Sequence, residues 1–332
     1  MKVVFTCGDL NGIGLETFYK YILNQDDLTS TYTLFCNIKS LQEYFNKLNY
    51  KYEIDHNILI INKNKVILEE CDSEVKIRFG KISEDAGKLA IQSITKASLY
   101  TSKGDYDFIV TLPIQKESMY LAGWEFTGHT EFFEKYYSDS ITQMMLFSSG
   151  LRVVPLTIHI PLKEVAKSIN KRLVIDNILA LNQSLKQNFG INNPKIAVLG
   201  LNPHAGESGA FGDEEIEIIT PAIKDTKHQG INVFGPFSAD GFFGFGEFVK
   251  YDGIISMYHD QGLIPLKLFA SGGGVNFTSG LRIVRTSPDH GTAMNIAGKD
   301  LADIRSLSES VEYGKIIAKN RIKFTKKRNK LI

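Results

Sequence analysis

The stretch KIAVLGLNPH, residues 195–204, sets four apolar residues (Ile196–Leu199) between a lysine and a glycine and closes on His204. A short apolar run bounded by turn residues suits a strand buried on both faces, the kind that parallel sheets contain. Two other stretches have the same shape: VVPLTIHI (153–160) runs to His159, and GIISMY (253–258) runs to His259. Working outward, strands are predicted at Val3–Thr6, Thr33–Cys36, Phe108–Leu112, Val153–Ile158, Ile196–Leu201 and Gly253–Met257. Between them, Ser83–Tyr100 places Ala86, Leu89, Ala90, Ile94 and Ala97 at steps of three and four, the spacing of an amphipathic helix. Arg172–Phe189 and Glu214–Ile223 read the same way. Strands alternating with helices predict an α/β architecture around a largely parallel sheet. Residues 50–80, with Ile58, Ile60, Ile61, Val66, Ile67, Val75 and Ile77, predict an antiparallel hairpin at its edge.

At 332 residues, and roughly 150 per domain, the chain has room for about two domains. Hydrophobic residues at 43% and charged residues at 23% exclude intrinsic disorder for the bulk. A net charge of +1 argues against a general nucleic-acid binder, which carries a basic excess. After Gly314 come eight cations and no acids, leaving 30 cations against 37 acids, a balance of −7, before them. That tail reads as the solvated face of a last helix. Three cysteines (Cys7, Cys36, Cys71) without a C-x-x-C spacing fit neither a disulfide framework nor a cysteine zinc knuckle, so a reduced, cytoplasmic setting is expected. The apolar run at the N-terminus is too short for a signal peptide, and no run of about 18 apolar residues predicts a membrane span. No repeat or low-complexity linker separates the domains, so any boundary is a crossing of the chain.

The three strand-end histidines share one position type. In open α/β sheets ligands bind beyond the C-terminal strand ends, and three neutral imidazoles with an open position are the pattern of a catalytic metal. Histidines at strand ends also serve simply as hydrogen-bonded loop residues, and spacings of 45 and 55 residues match no local metal motif. Gly8-Asp9-Leu10-Asn11-Gly12-Ile13-Gly14 is a G-x-x-x-G-x-G turn between a strand and a helix and lacks the spacing of a Rossmann fingerprint. Ser271–Asn276, glycine-rich and flanked by Lys267 and Arg285, suits either an anion cradle or a flexible loop. Thr130 in Gly128-His129-Thr130-Glu131 is a candidate helix N-cap, and a helix N-terminus carrying Thr and His also suits an anion.

GDLNGIGLE (8–16), GHTEFF (128–133), LNPHAGESGAFGDEE (201–215), GPFSAD (235–240), YHDQGLIPLKL (258–268), GGGVNFTSGL (272–281) and RTSPDHGTAMNIAGK (285–299) together resemble the 4-hydroxythreonine-4-phosphate dehydrogenase family of pyridoxal phosphate biosynthesis, over nearly the whole chain. The resemblance implies a two-domain α/β/α fold like isopropylmalate dehydrogenase, with the active site in the interdomain cleft, working as a homodimer with that site at the subunit interface. Residues 1–127 and 272–332 would form the first domain and 128–271 the second. It implies metal ligands at His159, His204 and His259, and substrate contacts at His129, Thr130, Lys267, Asn276 and Arg285. HGTAMNIAGK resembles the nicotinamide-cofactor loop of the wider superfamily, assigning His290, Gly291, Thr292 and Asn295 to NAD+ or NADP+. Lys267 and Asp240 are the candidate catalytic residues, the first holding phosphate and the second orienting a ligand imidazole. Asn295 stands where the family has Asp, Asp300 where Gly is usual, Leu10 and Leu15 where prolines are usual, and TLPIQK (111–116) where TAPINK is.

The implied reaction is oxidation of 4-phosphooxy-L-threonine at C3 by NAD+ or NADP+, with one divalent ion (Zn2+, Mg2+ or Co2+), followed by loss of carbon dioxide to give 3-amino-2-oxopropyl phosphate. The same residues would serve 4-phosphothreonate or 4-phosphoerythronate in a paralogue. A rival from another class is a metal-dependent phosphoester hydrolase, which needs no NAD.

Overall fold

The computed structural model describes residues 1–26, 30–148 and 150–329. The strands are β1 (Lys2–Thr6), β2 (Thr31–Cys36), β3 (Glu53–Asp55), β4 (Ile58–Ile61), β5 (Asn64–Glu70), β6 (Phe108–Thr111), β7 (Ser138–Ser148), β8 (Leu151–Thr157), β9 (Ile196–Leu199), β10 (Val233–Phe237), β11 (Gly253–Tyr258), β12 (Val275–Leu281) and β13 (Arg285–Pro288). The α-helices are α1 (Gly14–Leu23), α2 (Ile38–Lys47), α3 (Glu84–Ser102), α4 (Lys116–Leu121), α5 (His129–Tyr137), α6 (Leu162–Ser168), α7 (Lys171–Phe189), α8 (Thr220–His228), α9 (Ala239–Gly244), α10 (His259–Ala270) and α11 (Arg305–Asn329).

The chain divides into two compact units, one of Met1–Tyr137 with Leu281–Ala318, the other of Ser138–Gly280 with Lys319–Ile332. The divisions fall at 137/138 and 280/281, later than the expected 127/128 and 271/272, and the chain from Lys319 counts with the second unit. His129 and Thr130 therefore belong to the first unit: α5 buries Phe132 and Phe133, and Phe133 lies under the Arg285 guanidinium, 5.6 Å from the ring centre.

In the first unit the strand order is β13-β6-β1-β2-β5-β4-β3. It is parallel from β13 to β5 and antiparallel across β5-β4-β3. β1 and β6 are buried along almost their whole length, as both-face coverage by helices requires. Phe5 packs edge-on against Phe18 and Tyr32 at centroid distances of 5.1 and 5.7 Å. The predicted edge hairpin is β4-β5, but Val75 and Ile77 lie outside it and are buried as irregular chain. Cys7, Cys36 and Cys71 are free and buried.

In the second unit the order is β10-β9-β11-β8-β7-β12. β10, β9, β11 and β8 are parallel, and β7 runs antiparallel to β8. Helix α7 begins at Asn170, whose Oδ1 accepts the Leu173 N–H at 2.9 Å, and stops at Gly190 in the left-handed conformation (φ 72°). The helix expected at Glu214–Ile223 is instead a π-helical turn, Glu215–Ile219, running into α8. β7, β10, β12 and β13 were not predicted: Gly235 and Pro236 in β10, Gly280 in β12 and Pro288 in β13 break their sequence pattern. Among the described residues no helix is long and apolar enough to cross a membrane.

Helix α10 lies on the sheet because residue 262 has no side chain. A Cβ there would sit 2.4 Å from Val153 Cγ1 and 2.6 Å from Ser256 Oγ. Gly262→Ala is therefore expected to lift α10 from β8 and β11. The overpacking cost of about 1–3 kcal/mol is offset by at most about 1 kcal/mol of helix propensity. The test is the urea midpoint; an unchanged or raised midpoint would mean that the helix does not sit this tightly.

Candidate active site

Three adjacent parallel strands of the second unit, β9, β11 and β8, deliver the three histidines to one sheet edge. His159 lies two residues beyond β8, His259 directly follows β11 as the first residue of α10, and His204 lies five residues beyond β9. The rings of His159 and His259 are 6.4 Å apart between centroids, tilted by 38°. That is within about 1–2 Å of the separation two imidazoles adopt on one ion at Zn–N ≈ 2.0–2.1 Å. They line a cleft of ≈ 310 Å³ with Thr157, Tyr258, Asp260 and Leu162. His259 Nδ1 is 2.7 Å from Asp260 Oδ1, so with the proton on Nδ1 the Nε2 lone pair is left for a ligand. Asp240 does not make this contact. Its Oδ1 accepts the Ser238 hydroxyl at 2.5 Å, which, ahead of the nearby His204, holds its carboxyl below the ordinary value. Among the described residues no three His, Cys, Asp or Glu side chains converge closely enough to hold a metal ion. The donor chemistry fits a divalent ion, and the single chain gathers two of the three imidazoles.

His204 stands in a turn of unusual hand. His204, Ala205, Gly206, Glu207 and Ser208 have φ of 54°, 52°, 82°, 42° and 57°. Left-handed backbone costs roughly 1–2 kcal/mol per residue that is not glycine, so surrounding contacts must hold it. Glu215, 2% exposed, anchors the chain that leads into the turn. Its Oε1 accepts the backbone N–H groups of Leu201 and Asn202 at 2.7 and 2.8 Å, and its Oε2 accepts Asn202 Nδ2 at 2.9 Å. Gln261 Nε2 donates to Gly200 O at 2.7 Å, tying the same loop to α10. Sequence reading missed Glu215; the signal was the GDEE that ends the loop motif.

Lys267 is exposed in the last turn of α10. The glycine-rich segment after it is first of all a helix stop: Ser271 is left-handed (φ 47°) and Gly273 N donates to Ala270 O at 2.9 Å. A helix C-terminus disfavours anions, so in this segment the Lys267 ammonium is the group suited to phosphate. Asn276 Oδ1, in β12, is closed from solvent with no hydrogen-bond partner.

In the first unit, Arg285 is 2% exposed and donates through Nε and Nη2 to Thr111 Oγ1 at 3.0 and 2.7 Å. Burial presses its pKa down to about 9, so it is cationic at neutral pH. Burial and then the Arg285 charge push the His129 pKa well below the ordinary histidine value, and its Nε2 is closed from solvent without a partner. Thr130 follows it in the first turn of α5. Burial pushes the Asp9 carboxyl up to about 6. Ile13 N donates to Thr292 O at 3.0 Å, and a Cβ on Gly12 would sit 2.8 Å from that same oxygen. His290 Nδ1 lies 3.0 Å from Gly291 O, and its Nε2 is buried without a partner. Gly291 and Asn295 are exposed. Asp300 has a left-handed backbone (φ 59°), and its carboxylate is held by Lys20 at 3.0 Å and the Tyr50 hydroxyl at 2.6 Å.

The family described as "Pyridoxal phosphate biosynthetic protein PdxA" matches residues 29–314. The chain is 39% identical over 329 residues to the 4-hydroxythreonine-4-phosphate dehydrogenase of Bacteroides thetaiotaomicron, covering 97% of this chain and 90% of that one. A Cutibacterium acnes relative, 38% identical over 325 residues (95% and 93% covered), carries a D-threonate 4-phosphate dehydrogenase name. The crystal structure of the 4-hydroxythreonine-4-phosphate dehydrogenase from Klebsiella pneumoniae superposes with a TM-score of 0.83 at 33% identity, covering 96% of this chain and 99% of that one.

A histidine kept neutral in the folded state binds its proton only on unfolding. His129 therefore withdraws stability as pH falls through about 6.5, and that loss is absent above it. His129→Gln is expected to flatten the acid side of the stability profile, read as urea midpoint against pH. An unchanged slope would mean the ring takes a proton in the folded state.

Proposed function

The chain belongs to the PdxA family of pyridoxal phosphate biosynthetic proteins and is an oxidoreductase of the 4-hydroxythreonine-4-phosphate dehydrogenase kind, and we propose that it oxidises 4-phosphooxy-L-threonine at C3 with NAD+ or NADP+ and a divalent ion. The observation that carries this reading is the approach of His159 and His259, 6.4 Å apart between ring centres at the ends of the adjacent parallel strands β8 and β11, with His204 following the neighbouring strand β9. A divalent ion held by these imidazoles supplies Lewis acidity toward the substrate hydroxyl. Lys267 and Arg285 neutralise the phosphate. His129, neutral at working pH, and Thr130 hydrogen-bond the substrate without adding charge, and Asn276 turns its Oδ1 to a substrate donor. A bound nicotinamide would supply the hydride acceptor for C3, with the hydroxyl proton released to solvent, so that oxidation would give the β-keto acid 2-amino-3-oxo-4-phosphooxybutanoate. Its carboxylate leaves as carbon dioxide, the bond electrons pass to C2, and protonation there gives 3-amino-2-oxopropyl phosphate. His290, Gly291, Thr292 and Asn295 hold the cofactor.

The reading includes a homodimer with the site at the subunit interface. Beside His259, α10 and the residues after α9 expose Ile264, Leu268, Phe269, Phe245 and Val249, with Phe245 at 87% and Leu268 at 75%. Apolar exposure of this extent suits a face covered by another subunit. The Cutibacterium acnes relative favours a second reading, a phosphorylated threonate as substrate with hydroxyl in place of amino at C2.

The deciding experiment follows the NADH band with 4-phosphooxy-L-threonine and NAD+, against D-threonate 4-phosphate in parallel. Reduction with the amino substrate, abolished by exhaustive chelation and restored by a divalent ion, is the expected result. Preference for the hydroxyl substrate would select the second reading, and full activity after chelation would remove the metal.

Asn295 is neutral where the family carries Asp, so it neither makes a charge-assisted bond to ribose hydroxyls nor repels a 2′-phosphate. Asn295→Asp is expected to raise the ratio of kcat/KM for NAD+ over NADP+ by about tenfold. A ratio unmoved by the substitution would take Asn295 away from the ribose.

A further inference from the structure

We propose that Glu215 is a positioning residue: it fixes the left-handed turn 204–208 and thereby the direction in which His204 presents its imidazole. The inference rests on the metal reading of His204 but adds a residue to which that reading gives no part. Glu215 lies eleven residues beyond His204, on a π-helical turn, a form that recurs at functional sites because it shifts one side chain out of α-helical register. Its carboxylate takes two consecutive backbone N–H groups on Oε1 and the Asn202 amide on Oε2, so the chain entering the turn has one permitted direction.

Two glycines shape the space around that carboxylate. A Cβ on Gly200 would lie 3.0 Å from Glu215 Oε1 and 2.9 Å from Ala205 Cα, and one on Gly206 would lie 2.8 Å from Glu215 Oε2. The turn thus closes onto the carboxylate from both sides. Asn202 is held a second time, by Glu214 Oε2 at 2.7 Å. Four left-handed residues that are not glycine persist only where contacts over-determine them, and Glu215 anchors the two residues that lead into them, Leu201 and Asn202. Neutralising Glu215 keeps an acceptor for Leu201 and Asn202 but turns an NH2 toward the Asn202 amide, so the turn relaxes toward right-handed backbone and His204 swings away.

The test uses the full-length protein, its Glu215→Gln and His204→Ala variants, and the double variant. Co2+ is the probe, read by its visible absorption, and backbone hydrogen exchange over 200–208 is followed alongside. Glu215→Gln is expected to weaken Co2+ binding roughly 10–100-fold, the usual effect of losing a residue that orients a ligand. It should also speed exchange at Leu201 and Asn202 while α7 is unchanged. In the His204→Ala background it should cost nothing further, because it acts through His204. Gly206→Ala, which presses on the same carboxylate from the other side, should weaken Co2+ in the same direction. Unchanged exchange at Leu201 and Asn202, or an equal Co2+ loss with and without His204, overturns the proposal. If the unaltered protein takes no Co2+, the metal reading falls, and the exchange result alone decides whether Glu215 holds the turn.

Discussion

Parallel pairing of β9, β11 and β8 is the constraint on which the rest depends. Parallel neighbours cannot be joined by tight turns, so each strand is followed by a helix that returns the chain to the start of the next. All three strands therefore end at the same edge, and whatever follows them in sequence meets there. His159 and His259 come to 6.4 Å of each other across 100 residues of sequence for this reason. The close seat of α10 adds to it: without the bare backbone at Gly262, the first turn of that helix, and His259 with it, would stand farther from the sheet.

Burial of charge gives each unit its second organising feature. In the first unit Arg285 is enclosed with Thr111 and Phe133, and burial, then the Arg285 charge, holds the His129 pKa down. Enclosing a guanidinium is costly unless an acceptor or anion meets it, which suits a residue assigned to a phosphate. In the second unit the enclosed group is Glu215, satisfied by backbone N–H groups, and its role is to bend the chain.

The departures from the family pattern have local accounts. Asp300 occupies a glycine position with its backbone left-handed, and Lys20 and Tyr50 hold its carboxylate. Lys20 also donates to the carbonyls of Asp300 and Ala302, and Glu16 accepts the Ala302 N–H. Buried Glu16 and half-buried Lys20 on α1 thus fix the end of the segment 290–300, so a side chain at position 300 is accommodated by contacts already there. Asn295 is exposed, and nothing in the fold demands one residue there over another.

The sequence by itself determined the α/β class, because runs such as Ile196–Leu199 and the three-and-four spacing of Ala86, Leu89 and Ala90 are local patterns that burial must satisfy. It also determined that the three histidines follow strands, since each run ends within a few residues of one. The antiparallel edge of the first unit was legible in the alternation of Ile58–Ile67. Tertiary structure decided the rest. β7, β10, β12 and β13 carry glycine or proline, or are half polar, and become strands only because a neighbour supplies their hydrogen bonds. That Asp260 meets His259 depends on side-chain direction at a helix start, which spacing does not encode. The left-handed turn at His204 is set by Glu215 from the following helix, because only a contact from outside the turn can offset the steric cost inside it.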